Sequence, residues 1–206
     1  MKKEAGPEYS RTVIEFVAAA NEFTKYAEQA TGIPGSDLIR ILQRILPLMY
    51  IKASLLPVLT PVFEEGNEKF VTEEDYNRIR EGLLSQLGST DIYFDLSDYS
   101  ANDPDIVIRG SLSEDISDIY QDIKNFLLLY QTGTTEVMND AVWECKTNFE
   151  SYWGQKLLNS LRAMHKLIYS GDPVGEVLNP EQEEGIKDTS EWFISRRQKE
   201  YKKNGR

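Results

Sequence analysis

The sequence is poor in the residues that most often do chemistry. Its 206 residues hold one cysteine, Cys145, and one histidine, His165. A single cysteine excludes an intramolecular disulfide framework and a cysteine-rich zinc site, and it fits a reducing, cytoplasmic setting. With one histidine there is no His-Glu-x-x-His or paired Glu-x-x-His motif to gather metal ligands on a helix face. Phosphate loops, Gly-x-Ser-x-Gly elbows and Gly-x-Gly-x-x-Gly turns are missing as well. So is an uninterrupted apolar run. The greasiest stretch, "ILPLMYIKASLLPVLTPVF" from Ile45 to Phe63, carries Lys52 and the prolines Pro47, Pro57 and Pro61; it reads as a buried helix followed by an apolar loop, not as a membrane span. The polar start "MKKEAGPEYS" gives no signal-peptide pattern.

Positive charge is also scarce. Lys and Arg number 23 against 34 Asp and Glu, a net charge of −11. Such a chain repels phosphate backbones and anionic headgroups, which argues against nucleic acid and membrane partners. The exception is "SRRQKEYKKNGR" at the end, with six basic residues to one acid.

What is present is an ordinary globular composition, 40% hydrophobic and 28% charged, at a length that suits one domain with a good core. The apolar period is helical nearly everywhere. A first helix starts after Ser10 and buries Val13, Phe16, Val17, Ala20, Phe23 and Ala27; Gly32 and Pro34 stop it. A second starts after Gly35, capped by Ser36 or Asp37, and Pro47 either kinks it or marks its first turn. Thr72 and Asp75 form a capping box for a third, closed by Gly88. Ser111 and Glu114 repeat the device for a fourth, ended near Gly133. The fifth runs from Thr135 to about Ser170. An acidic linker, Pro180 to Asp188, precedes a short sixth. These elements predict an all-α fold, a helical bundle of five or six helices over 1–172, with 173–206 as linker and basic tail docked on the same domain. One long irregular loop, Ser89 to Gly110, holds "DIVIRG", a weak strand candidate. Loops of that length are usually functional or mobile, so Tyr93, Phe94 and Tyr99 there, with Trp192 and Phe193 in the tail, are the candidate contacts for a protein partner.

The rare side chains cluster in "AVWECKTNFESYWGQKLLNSLRAMHKLI". At 100° per residue Val142, Cys145, Phe149, Trp153, Leu157, Met164, Leu167 and Ile168 share one arc, which is a core face. His165 falls at its border and is expected to be structural. Lys146 and Glu150 point into the apolar side and pair at four-residue spacing or across the bundle.

On the fourth helix, Leu112, Ile116, Ile119, Ile123, Phe126, Leu127 and Tyr130 form the core face, and Asp115, Asp118 and Asp122 run beside it with Asn125 next in line. Three carboxylates on one edge could hold Mg²⁺ or Mn²⁺ and serve hydrolysis of a phosphate-containing substrate. Acids in a first helical turn also favour the dipole, and the answering Glu-x-x-Asp pair of helical nucleotide pyrophosphatases is missing. No metal and no cofactor is therefore assigned, and a non-catalytic interaction module is the leading expectation.

The segment "LSEDISDIYQDIKNFLLLYQ" and the tryptophan helix after it together resemble an uncharacterised bacterial all-helical domain family of unknown function. The shared pattern is Asp118, Ile119, Tyr120, Asp122 and Lys124, then Trp143, Phe149, Trp153 and Gly154, then Leu161, Arg162, Ala163 and His165. That resemblance implies a helical fold and bacterial origin, and it supplies no activity, cofactor or catalytic residue. It marks Asp118, Tyr120, Asp122, Glu150, Arg162 and His165 as a polar cluster to inspect together. An antiparallel turn near Gly133 sets Tyr120 and Asp122 opposite Glu144 to Phe149 and leaves His165 beyond the start of the fourth helix.

Overall fold

The first four amphipathic stretches form the helices their spacing predicts. In the computed structural model, which describes residues 6–96, 107–171 and 174–175, α1 is Arg11–Glu28, α2 Gly35–Ser54, α3 Glu73–Leu87 and α4 Leu112–Tyr130. The fifth helix runs as α5, Thr135–Asn148, a π turn at Phe149–Trp153, and α6, Gly154–Ser170. All belong to one unit, Met1–Glu176. The fold is an all-α bundle. The predicted acidic linker and sixth helix lie outside the described residues, as do Tyr99, Trp192 and Phe193.

Local chemistry sets most of the boundaries. The Thr72 hydroxyl accepts from the Asp75 N–H and the Asp75 carboxylate accepts from Thr72, the reciprocal box the sequence predicts. At α4 only half of that device forms. Ser111 Oγ accepts from the Glu114 N–H at 3.2 Å, while the second capping carboxylate is Asp91, which takes the Ser113 N–H and the Ser111 hydroxyl, each at 2.7 Å. Gly88 and Gly133 adopt φ of 53° and 71°, where a side chain would be strained, and end α3 and α4. α2 begins one residue before the expected caps, with Pro34 as N-cap, and Pro47 sits inside it without ending it. One lost backbone bond is outweighed there by the burial of Leu46 and Met49 on the neighbouring positions.

The long connection is not wholly irregular. Its ends pair as an antiparallel hairpin, β1 Ile92–Leu96 against β2 Val107–Ser111, in register from Ile92↔Ser111 to Leu96↔Val107. The "DIVIRG" candidate supplies most of β2. Another connection, from Leu55 to Val71, is strapped down by side chains from the helices behind it. Asp140 accepts from the N–H groups of Val62 and Phe63 at 2.7 and 2.9 Å, and Asn125 Oδ1 accepts from Phe70 and Val71 at 2.8 and 3.0 Å. Burial alone would raise the Asp140 carboxyl. The Phe63 and Val62 amides and Asn139 outweigh it and hold the group below the usual range.

The core is an aromatic seam built on the π turn. Trp153 is fully buried, with Phe149 at 4.8 Å and Phe16 of α1 at 6.4 Å between ring centroids, and Tyr50 of α2 closes on Phe149 at 5.1 Å. The indole N–H donates to the Cys145 carbonyl at 3.2 Å, so Cys145 and Trp153 are packing material. Gly154 is required at the end of the turn, because its N–H bonds back five residues to the Phe149 carbonyl and a Cβ would sit 2.4 Å from that oxygen. Gly154→Ala is expected to destabilise the fold by about 2 kcal/mol or more, against the usual advantage of alanine in a helix. Urea unfolding with far-UV circular dichroism measures this; a neutral or stabilised variant would contradict the packing described.

Candidate functional site

The acidic edge of α4 does not face open solvent. It meets α3, β1, the π turn and α6, and each carboxylate finds its partner there. Lys156 of α6 places its ammonium 3.0 Å from Asp115 Oδ1 and 2.8 Å from Asp118 Oδ2. Asp118 also accepts from the Tyr76 hydroxyl of α3 at 2.8 Å and from the Tyr152 hydroxyl of the π turn at 2.9 Å. Asp115 is buried and accepts the Tyr93 hydroxyl of β1 in a short hydrogen bond. One turn further on, Asp122 accepts from Asn148 Nδ2 at 2.9 Å.

The electrostatics follow from this geometry. Burial first, then the hydrogen bond to the Asp118 carboxylate, push the Tyr76 and Tyr152 phenols above the ordinary tyrosine range. Burial on its own would lower the Lys156 ammonium. The hydrogen bonds to Asp118 and Asp115 outweigh it and hold the group above the usual lysine value. Desolvation raises the Asp122 carboxyl, opposed by the Asn148 hydrogen bond. The tyrosines therefore stay neutral and the lysine stays charged near pH 7, whereas a proton-transfer group works best with its pKa near the working pH. Among the described residues no three His, Cys, Asp or Glu side chains converge as a metal-ligand set. Asp115 and Asp118 are spent on Lys156 and three tyrosine hydroxyls.

The predicted polar cluster is distributed over several places. Asp118 and Asp122 share the α4 edge. Tyr120 turns away from it and donates to Glu28 of α1 at 2.9 Å, beside Lys124 at 2.7 Å on the same carboxylate oxygen. Glu150 pairs with Lys146 at 3.2 Å, as its spacing predicts, yet Glu150 is exposed while Lys146 is nearly buried and also donates to the Ser54 carbonyl. His165 is exposed and packs on Tyr169, with 4.6 Å between ring centroids. Arg162 lines a cleft of about 430 Å³ with Lys166, Tyr93 and Phe94, the last standing out from β1. Cys145 is fully enclosed, and burial pushes its thiol well above the ordinary value, the reverse of an activated nucleophile.

A second feature lies on the opposite chemistry. The outer surface of α1 and α2 carries an apolar groove of about 540 Å³, with the buried Ala19 as floor, Ala18 and Tyr26 on the α1 side and Ile41, Ile45 and Leu48 on the α2 side. Its rim is charged, Glu15 and Glu22 from α1 facing Arg44 and Lys52 from α2. Leu48, Ile51 and Leu55 stand 45–55% exposed on the α2 side, and Ile14 is 55% exposed on α1. α2 and its C-cap thus carry an inward apolar face, Leu38, Leu42, Leu46, Met49 and Ala53, and an exposed apolar set, Leu48, Ile51 and Leu55, while Ile41 and Ile45 stand half-buried between them, Ile45 packed against the core. Sequence reasoning assigned the whole apolar run to the interior and missed the outward set. The signal was available: one helix cannot turn that many apolar residues onto one face.

Lys156→Met should remove the cation from Asp115 and Asp118 and cost about 2–4 kcal/mol, since their carboxylates remain in place without it. Tyr152→Phe, which removes one donor to Asp118, should cost about 1–2 kcal/mol. Chemical denaturation with a tryptophan fluorescence readout separates the two; equal stability of Lys156→Met and the parent would refute the assigned network.

Comparison with known proteins agrees with the helical fold and brings no activity. No curated protein matches the chain. The crystal structure of protein BF1032 from Bacteroides fragilis is similar to it at 40% sequence identity, covering 81% of this chain and 98% of that one, with a TM-score of 0.73. A family model described as a domain of unknown function, DUF5063, matches residues 7–170. That span takes in every helix described above, and the chain belongs to the DUF5063 family.

Proposed function

We propose that this chain is a non-catalytic protein-interaction module whose binding face is the outer surface of α1 and α2. The observation that carries the reading is the second apolar face of α2, open beside a groove of about 540 Å³. Exposed apolar surface costs free energy in water, about 25 cal/mol for each Å², and contiguous exposed patches rimmed by charge are the usual mark of an interaction site. A groove with a small-residue floor and aliphatic walls suits the apolar side of an amphipathic helix.

The rival reading, a Mg²⁺- or Mn²⁺-dependent hydrolase acting through Asp115, Asp118 and Asp122, has less support. A metal there would have to displace the Lys156 ammonium and the hydroxyls of Tyr76, Tyr93 and Tyr152. Each exchange gives up a charge-assisted hydrogen bond of about 1.5–3 kcal/mol. The enclosed, unactivated thiol of Cys145 and the outward His165 offer no alternative chemistry, and no helix among the described residues is long and apolar enough to cross a membrane. An interaction module in a reducing cytoplasm accounts for these features.

A benzophenone-bearing residue in place of Leu48, irradiated in cells that naturally make the protein, should give a discrete crosslinked species. The same residue in place of Phe94 serves as comparison on the hairpin side. Adducts from position 94 with none from position 48 would contradict the assignment of the face.

A further inference from the structure

The outward side of α2 has a regular pattern. Ile41, Ile45, Leu48, Lys52 and Leu55 follow one another at spacings of four, three, four and three residues. That is the seam of a helix packed against another helix in coiled-coil fashion, and a lone lysine in such a seam is a device that fixes register at some cost in stability. In this chain Lys52 does not project freely into the seam. Glu15 of α1 holds its ammonium at 2.6 Å. The ion pair also sets which residues of the two helices lie level with each other. Because α1 and α2 run antiparallel, Ala18 falls level with Leu48, and Glu22 falls near Arg44, all of them lining the one groove.

The charges that line the groove are divided by helix, although Glu22 and Glu15 also meet Lys25 and Arg11 of their own helix at 3.9 and 2.7 Å. The acids Glu15 and Glu22 stand on α1, the cations Arg44 and Lys52 on α2. A two-fold axis along the groove would lay α2 of one molecule on α1 of the other, and each residue would meet the residues level with it across the groove. Glu22 would then face Arg44 of the second molecule, the Glu15–Lys52 pair of each molecule would lie against that of the other, and the protruding Leu48 would face the small Ala18. The same face offers knob and hole, acid and base, which is what an isologous contact requires. A foreign partner would need only one half of this complementarity. Arg44 makes no ion pair among the described residues, so its opposing acid is open to supply from outside. The two helices, of 18 and 20 residues, present a face about 27 Å long and about 20 Å wide. An outline of about 540 Å² is below the roughly 800 Å² for each partner of a standard interface, which fits a weak, reversible dimer.

We infer that the occupant of the α1–α2 face is a second copy of this chain, joined as a two-fold dimer in which α2 of each molecule packs on α1 of the other. This rests on the reading of that face as the interaction surface. Sedimentation velocity of the full chain from low micromolar to hundreds of micromolar should show a reversible monomer–dimer equilibrium. Leu48→Glu should raise the dissociation constant about thirtyfold or more, with an unchanged circular dichroism spectrum because Leu48 is already half exposed. Glu22→Arg should weaken the dimer through like charge against Arg44, and the double variant Glu22→Arg with Arg44→Glu should restore it, an outcome that a role in folding alone would not produce. A chain that stays monomeric throughout, a dimer indifferent to Leu48→Glu, or a double variant that is no better than Glu22→Arg would overturn the inference. Crosslinks from position 48 to a different protein, in a chain that is monomeric, would overturn self-association and leave the interaction face standing; the absence of any crosslink would remove both.

Discussion

A single ammonium, that of Lys156, holds two carboxylates of α4 against α6. Asp115 and Asp118 lie one turn apart on the helix edge that faces α3, the π turn and α6, where water is largely excluded and uncompensated charge costs several kcal/mol. The pair fixes more than charge. Asp122 meets Asn148, Asp118 meets Tyr152 and Asp115 meets Lys156, each step taking one turn back along α4 and one turn forward along the fifth helix. A slip of one turn would change the partner of every one of them and leave one carboxylate without its own. The π turn belongs to the same constraint, because its extra residue shifts the phase of everything after it by about 100°. With that shift Phe149 and Trp153 both stay in the aromatic seam while Tyr152 and Lys156 reach Asp118 from outside it. Polar register and apolar packing depend on each other through five residues.

The outside of the bundle is organised differently. The α4 edge has satisfied its polar groups within the chain, whereas α2 has more apolar surface than one core can take. Its inward face is filled by Leu38, Leu42, Leu46 and Met49, and its outward face is left to the groove with α1. The contrast bears directly on function. Chemistry needs groups that are available, and the groups on the acidic edge are occupied. Association needs apolar surface that water would rather not cover, and the α1–α2 face supplies it.

Much of this was legible in the sequence where the controlling interactions are local or periodic. The five helices, the Thr72 box, the stops at Gly88 and Gly133, and the inward turn of Cys145, Phe149 and Trp153 all rest on neighbours within a turn or on a repeat of 3.6 residues. The antiparallel register that sets Asp122 opposite Glu144 to Phe149 followed from helix geometry, whereas Tyr120, expected at the same place, turns to Glu28 of α1. The hairpin was barely legible, since five-residue strands such as Val107–Ser111 take their identity from the strand they pair with. The partners of the acidic edge were out of reach for a related reason. Tyr76 and Lys156 come from 42 and 41 residues away along the chain, and neither belongs to a motif. A carboxylate row reads the same whether a cation or a metal answers it. Lys156 one turn beyond Tyr152 was the available hint, because both project from the face that the register turns toward α4.

The proposal that the chain works through its outer face rests on the acidic edge of α4 being closed from within by Lys156 and the tyrosine hydroxyls. Isothermal titration of the full chain with magnesium and with manganese chloride at low ionic strength addresses this most directly. The account predicts no saturable heat and no difference between the parent and Asp118→Asn. Stoichiometric binding of either ion that disappears in Asp118→Asn would contradict it.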